Sequence, residues 1–264
     1  HEMTKIVLSS EGVFPLSNGE ETVVGVRTSG TLQGEGILVG VPSLFVRLAG
    51  CNLRCLFQDP EGYIDQCDTP HAQLSDEKDA CEVDDVVQLV ANHLGALRHV
   101  VITGGEPMLQ KEAVAELCER LHAAKKGIHI TLETNGTVFS ERVSRAVDLV
   151  SMSPKCQVGT FEGEKPSRAY VSSMQQWIDS KCGERDGLQL KFVVGCKEDE
   201  RKLIESILHS LHDWEKCALV VMPLGGDLAT IRKSTSLAVE IAIRRGWRYS
   251  PRLQIDLWAG RKGS

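Results

Sequence analysis

Between Cys51 and Thr69 the chain gathers residues that can hold metal. These are Cys51, Cys55 and Cys67, the last followed directly by Asp68 and Thr69. Three thiolates from one loop suit an iron–sulfur cubane whose fourth iron stays open for a ligand. Closely spaced cysteines also serve zinc, which would take a fourth donor from His71 or Cys81. The plainest reading is buried thiols, because a cysteine packs as a small apolar residue. The loop alone leaves all three readings open. The chain has nine cysteines, an odd count scattered through apparent strands and helices. Metal-bound or buried thiols are therefore expected rather than a disulfide frame. Cys81, Cys118, Cys156, Cys182, Cys196 and Cys217 are not grouped, so they are expected in the core or at the surface. The histidines show no paired spacing.

A second set of candidates is glycine-rich and polar. It comprises 49–51, 103–107, 133–136 (Glu-Thr-Asn-Gly), 153–155 (Ser-Pro-Lys) and 222–226. Each stretch follows a short apolar run. Parallel sheets bind ligands at the C-terminal ends of their strands, so five such clusters in succession outline one rim.

The elements that would position this rim alternate. Short β-like pieces are expected at 6–8 and 22–26, around the turn-former Ser17-Asn18-Gly19, with a strand at 43–48. After an exposed connection over 73–79, apolar spacing predicts helices over 83–94, 111–125 (Gly127 as C-cap), 141–146, 166–180, 199–211 and 228–245 (closed by Gly246). Strands are expected at 99–103, 128–132, 147–152, 188–194, 218–222 and 247–250. Strand and helix alternating about six times implies parallel strands with crossover helices. No internal repeat or low-complexity linker interrupts them.

With 264 residues, the chain suits one large core. A net charge of −6 argues against a nucleic-acid backbone as partner. No apolar run is long enough to span a bilayer, and no leader is evident, so a cytoplasmic protein is expected. His1 and Glu2 ahead of Met3 read as a cloning remnant.

Taken together, Cys51-Asn-Leu-Arg-Cys55 after one strand and Gly104-Gly105-Glu106-Pro107 after the next resemble the radical S-adenosylmethionine superfamily. Further stretches narrow the likeness: 32–36, 45–53, Cys67-Asp68-Thr69, 103–109, 133–136 and 153–155. Over residues 26–226 the chain resembles the 7-carboxy-7-deazaguanine synthase family. One departure is plain, since the superfamily's usual spacing is CxxxCxxC and here eleven residues part Cys55 from Cys67. The stretch 56–66 is read as an insert making a small excursion over the cluster.

The resemblance implies an α/β fold: a partial (β/α)6-type parallel barrel with an N-terminal β extension, forming one domain over 3–264. It implies a [4Fe-4S] cluster on Cys51, Cys55 and Cys67, with S-adenosylmethionine on the open iron. A radical drawn from that cofactor would abstract hydrogen from C6 of 6-carboxy-5,6,7,8-tetrahydropterin. Ring contraction and loss of ammonia then give 7-carboxy-7-deazaguanine. It further implies cofactor contacts from Gln66, Asp68, Gly105, Glu106, Glu133, Asn135, Ser153, Lys155, Met222, Pro223, Leu224 and Gly225. Substrate contacts would come from Leu32, Gln33, Gly34, Glu35, Arg47 and Thr103, and Mg2+ would sit at Thr69. No acid or base residue is assigned. A flavodoxin-type reductant and a homodimer are also implied.

Several of these residues have duller readings. Arg47 in an apolar strand can be a structural salt bridge, Glu106 before proline can cap a helix, and Glu133 can pair with a rim lysine. Lys191 is expected at a sheet edge or in solvent and is left out. The role of 251–264 stays open. Two rivals to the lyase are a glycyl-radical activating enzyme and a non-catalytic zinc-binding scaffold.

Overall fold

The structure is a computed structural model that describes residues 3–58, 64–67, 69–74, 80–157, 159–181, 183, 186–195 and 199–264. In chain order its elements are β1 (Lys5–Phe14), β2 (Thr31–Leu32), β3 (Pro42–Leu48), β4 (Leu56–Gln58), β5 (Ile64–Gln66), β6 (Ala80–Glu82) and α1 (Val83–His93). They continue with β7 (His99–Gly104), α2 (Lys111–Ala124), β8 (His129–Thr134), α3 (Glu141–Ala146) and β9 (Leu149–Met152). A small hairpin, β10 (Phe161–Glu162) with β11 (Lys165–Pro166), leads into α4 (Arg168–Lys181) and β12 (Leu188–Val194). The chain ends with α5 (Asp199–His209), β13 (Ala218–Pro223), α6 (Leu228–Arg245), β14 (Arg248–Tyr249) and α7 (Leu253–Trp258).

The large sheet runs β14-β13-β12-β9-β8-β7-β3-β1-β6, with β2 beside β3. From β3 to β14 every neighbouring pair is parallel, as alternation of strand and helix requires. Antiparallel β1 covers the β3 edge and is itself paired with β6. Residues of β1 and of β13 line the same cavity, so the sheet curls into the expected partial barrel.

Alternation along each strand sorts the two faces. Leu44, Val46 and Leu48 of β3, Val100 and Ile102 of β7, and Ile130 and Leu132 of β8 are fully buried in the common apolar core. The helices bring Val83, Val86, Val87 and Val90 of α1, and Val114, Leu117, Cys118 and Leu121 of α2, to that core. The opposite strand face carries the polar residues of the interior.

The sequence reading needs correction at the chain's margins. Residues 22–26 form no strand but a turn closed by Thr22 and Gly25, where Gly25 adopts φ +81°. The piece at 6–8 is part of a ten-residue strand. Gly127 (φ +77°) does not cap α2, whose cap is the extended Lys125; it turns the chain two residues later. Gly246 closes α6 as expected, at φ +69°. β6 follows the polar connection, and the open tail contains α7.

Candidate functional site

The gap between Cys55 and Cys67 is spanned by a two-stranded ribbon. β4 and β5 pair antiparallel with Leu56 opposite Gln66, so the residues just outside the pair, Cys55 and Cys67, meet at the base of the ribbon. The insert displaces sequence without displacing sulfur. Cys51 lies in the same loop, which is pinned by Gly50 N–H donating to Ala72 O at 2.8 Å and Cys51 N–H to Gln73 O at 3.1 Å. Next door, Cys67 Sγ accepts from Thr69 N–H at 3.5 Å and lies 3.4 Å from Thr69 Oγ1.

Gly104 and Gly105 make this junction possible. A Cβ on Gly104 would sit 2.4 Å from Leu48 O, and one on Gly105 would sit 2.4 Å from Gly50 O and 2.6 Å from Ala72 O. The backbone after β7 therefore lies directly against the cysteine loop, and Glu106 N–H donates to Gly50 O at 2.8 Å.

All three cysteines line one cavity of about 840 Å³. Of the residues expected to bind cofactor, Gly105, Glu133, Asn135, Ser153, Lys155, Met222, Leu224 and Gly225 share it. So do Leu32, Gln33, Gly34, Glu35, Arg47 and Thr103, expected at the substrate, and Thr69. Glu106 and Pro223 are not part of the wall. The Glu106 carboxylate is wholly buried and accepts from Met108 N–H, Thr134 Oγ1 and Asn135 N–H at 3.1, 2.7 and 2.7 Å. It caps the turn over Pro107–Gln110, which is its duller reading. Burial raises its pKa against those three bonds and Lys155. Asp68 and the side chain of Gln66 lie outside the described residues, as do Cys182 and Cys196.

The interior is layered. Arg47 and Thr103 are register partners, as are Glu133 and Ser151, and Ser151 and Gln189. Within this row Thr103 Oγ1 donates to Glu133 Oε2 at 2.8 Å and Gln189 Nε2 to Ser151 Oγ at 2.7 Å. Gln33 Nε2 reaches Glu133 Oε1 at 3.4 Å.

Several residues of the site escaped the sequence reading. Lys191 is buried in central β12 and its Nζ is 2.5 Å from Glu35 Oε2, which corrects its placement at an edge or in solvent. The parity of Gln189 and Lys191 on a central strand was the available signal. From the tail, Arg252 Nε lies 3.2 Å and Gln254 Nε2 2.9 Å from Glu35 Oε1. Burial alone would raise the Glu35 pKa, but the Lys191 and Arg252 charges outweigh it and hold the carboxyl well below the usual range. Glu11 ion-pairs with Arg47 at 2.5 Å, so the duller reading of Arg47 is realised at the cavity wall. Phe14 and Phe45, stacked 5.5 Å apart, line the cavity beside Arg47.

His71, offered above as a zinc donor, instead meets Glu11 Oε2 at 3.0 Å, and the Cys81 thiol faces Ile6 O at 3.5 Å. Among the described residues no three His, Cys, Asp or Glu side chains are gathered closely enough for one metal ion. Among them, too, no helix is long and apolar enough to cross a membrane.

Residues 46–155 match the model of the radical SAM superfamily. A 7-carboxy-7-deazaguanine synthase from Rhodopirellula baltica is 33% identical over 254 residues, 93% of this chain and 90% of its own length. One from Halobacterium salinarum is 35% identical over 241 residues, 86% and 87% of the two chains. The crystal structure of QueE from Escherichia coli aligns with a TM-score of 0.64 at 23% identity over 94% of both chains, a likeness of fold.

Radical SAM enzymes carry a [4Fe-4S] cluster and S-adenosylmethionine, and the residues present fit both. Burial raises the Cys51 pKa, and negative charge at Glu106 and Cys67 adds to the rise against the Leu53 N–H and Arg54. A buried thiol beside further negative charge ionises readily only with a cation at hand, which each iron of a cluster would supply to its own cysteine. At 33% and 35% identity over nearly its whole length, this chain belongs to the 7-carboxy-7-deazaguanine synthase family of radical SAM enzymes.

Proposed function

We propose that this enzyme converts 6-carboxy-5,6,7,8-tetrahydropterin into 7-carboxy-7-deazaguanine with loss of ammonia, a step in 7-deazapurine biosynthesis of the queuosine type. The observation that carries the reading is that one cavity holds three thiols together with a matched set of substrate groups. Arg47 offers a fork for a carboxylate. Glu35 and Gln33 offer acceptors for an amino-pyrimidinone edge, and Phe14 and Phe45 offer an apolar face for a flat ring.

When bound, the cluster and S-adenosylmethionine supply the hydrogen-atom abstraction. The chain's own residues bind and orient. Cys51, Cys55 and Cys67 hold the cluster. Gly105 and the wall around Glu133, Asn135, Ser153, Lys155 and 222–225 hold the cofactor, with Glu106 fixing Asn135 from behind. Leu32, Gln33, Gly34, Glu35, Arg47 and Thr103 hold the pterin. Thr69 would offer Mg2+ a hydroxyl, a weak single anchor that suits a hard, hydrated ion. The enzyme works with a reductant, which we place in the flavodoxin class; we place the reaction in the cytoplasm and the chain in a homodimer. The curated relatives favour neither the glycyl-radical activase nor the zinc scaffold.

Anaerobic reconstitution tests this. Protein with full iron and sulfide, S-adenosylmethionine, Mg2+ and a reductant is expected to turn the tetrahydropterin into a deazapurine chromophore. A fully loaded protein that cleaves S-adenosylmethionine but leaves the pterin unchanged overturns the substrate.

A further inference from the structure

Arg47 does not stand alone in the cavity wall. Glu11 Oε2 lies 2.5 Å from its Nε and 3.0 Å from His71 Nε2, and the Glu11 side chain is only 8% exposed. The guanidinium carbon also lies 5.3 Å from the centre of the Phe14 ring. Among the described residues its Nη1 reaches only Gly104 O, at 3.5 Å, the limit of a hydrogen bond.

The backbone is shaped to present Glu11. β1 pairs with β3 in register at Leu8 and again at Val13, but the register shifts between them. The shift contains Gly12 at φ +58°, a conformation that L side chains rarely adopt. Bulges of this kind re-aim a side chain next to a functional site. Here the bulge delivers a carboxylate into the cavity from a strand outside the matched superfamily region, which begins at residue 46.

We propose that Glu11 is a positioning residue. As an ion pair rather than a hydrogen bond, it holds the Nε side of Arg47 and leaves the Nη edge for the carboxylate of the substrate, resting in this on the substrate proposed above. A guanidinium has five donors on a rigid fork, so one carboxylate can hold the inner edge while a second uses the outer. The Phe14 ring packs against the same guanidinium. Through His71 the same carboxylate ties the fork to the loop carrying Thr69.

The test is equilibrium binding to the cluster-loaded enzyme with S-adenosylmethionine present. The probes are 6-carboxypterin, which has no hydrogen to lose at C6, and 6-methylpterin, which lacks the carboxylate. Wild type is expected to prefer 6-carboxypterin. Glu11→Gln is expected to weaken that ligand about tenfold while moving 6-methylpterin less than about twofold. Glu11→Asp is expected to recover part of the loss. In an Arg47→Ala background Glu11→Gln is expected to change nothing further. An equal loss for both pterins makes Glu11 merely structural and overturns the proposal. Tighter binding of 6-carboxypterin by Glu11→Gln also overturns it, since Glu11 would then be competing for Arg47. A wild type that prefers 6-carboxypterin beside an unchanged Glu11→Gln sinks the positioning alone. A wild type that binds neither pterin sinks the substrate reading first.

Discussion

Lys191 Nζ lies 2.5 Å from Glu35 Oε2, joining two buried charges in the cavity wall from distant parts of the chain. Removing one partner of a buried pair strands the other, at about 3–5 kcal/mol. Because Arg252 and Gln254 also hold Glu35, Lys191→Met is expected near the lower end, about 3 kcal/mol, read from urea unfolding. Lys191→Met with Glu35→Gln is expected to recover most of that stability but not turnover. A single variant as stable as wild type refutes the buried-pair account.

The same network sets an acid limit. A carboxyl whose folded pKa is lowered stabilises above its ordinary value of 4.5 and loses that contribution as pH falls below it. His99 acts in a higher window. It is buried between Ser43 and Thr131, and burial first, then the His129 charge, lowers its pKa from 6.5 to about 4, against Asp148. Between those values the unfolded chain takes up a proton that the folded one refuses. Stability is therefore expected to fall as pH drops from 6.5 toward 4, by at most about 3 kcal/mol. Urea midpoints at a series of pH values check this, and His99→Gln is expected to flatten the slope. His129, shifted the same way, keeps some of it.

Gly34 is a contact point for the tail. A Cβ there would lie 1.8 Å from Gln254 Oε1, and Leu253 N–H donates to Gly34 O at 3.0 Å. Gly34→Ala is expected to push Gln254 off Glu35 and raise KM for the pterin with the cluster intact. Adding Gln254→Ala removes the clash, so a cycle between the two is expected to show coupling of about 1–2 kcal/mol. Strict additivity refutes the contact.

Gly105 faces backbone, which cannot yield as a flexible side chain can. Gly105→Ala is expected to distort the cysteine loop, at about 2 kcal/mol or more. The check is iron and sulfide content with visible absorption after reconstitution; a full complement sinks the argument.

Ending the chain after Pro251 removes Arg252 and Gln254 from Glu35. The truncated protein is expected to take up iron and sulfide as wild type does, yet to form product more than about tenfold slower at limiting substrate. Undiminished kcat/KM would show that Lys191 holds Glu35 without help.

Periodicity reported what repeats. Val83, Val86, Val87 and Val90 declared α1, and the apolar runs ending in polar clusters declared β7, β8, β9 and β13 with the rim that follows them. The 22–26 run shows where composition misleads, since three valines there are overruled by the turn at Gly25. Charges that act through a single distant partner left little trace. Nothing near Glu11 names Arg47, and nothing near Arg252 names Glu35, because those pairings exist only once the sheet curls and the tail returns. Lys191 could have been found from strand parity, which outranks the general habit of lysines. Glu106 warns in the other direction, since a motif residue expected at the ligand lies behind the wall and shapes it.

The β4–β5 ribbon separates two quantities that a linear motif confuses. Eleven residues part the second and third cysteines along the chain, while their nearness in space is set at its root. Residues added or removed beyond Gln58 and before Ile64 would leave that root alone. The interval between these cysteines in sequence is thus no measure of their separation in the fold, and a search keyed to a fixed interval would pass over a chain built this way.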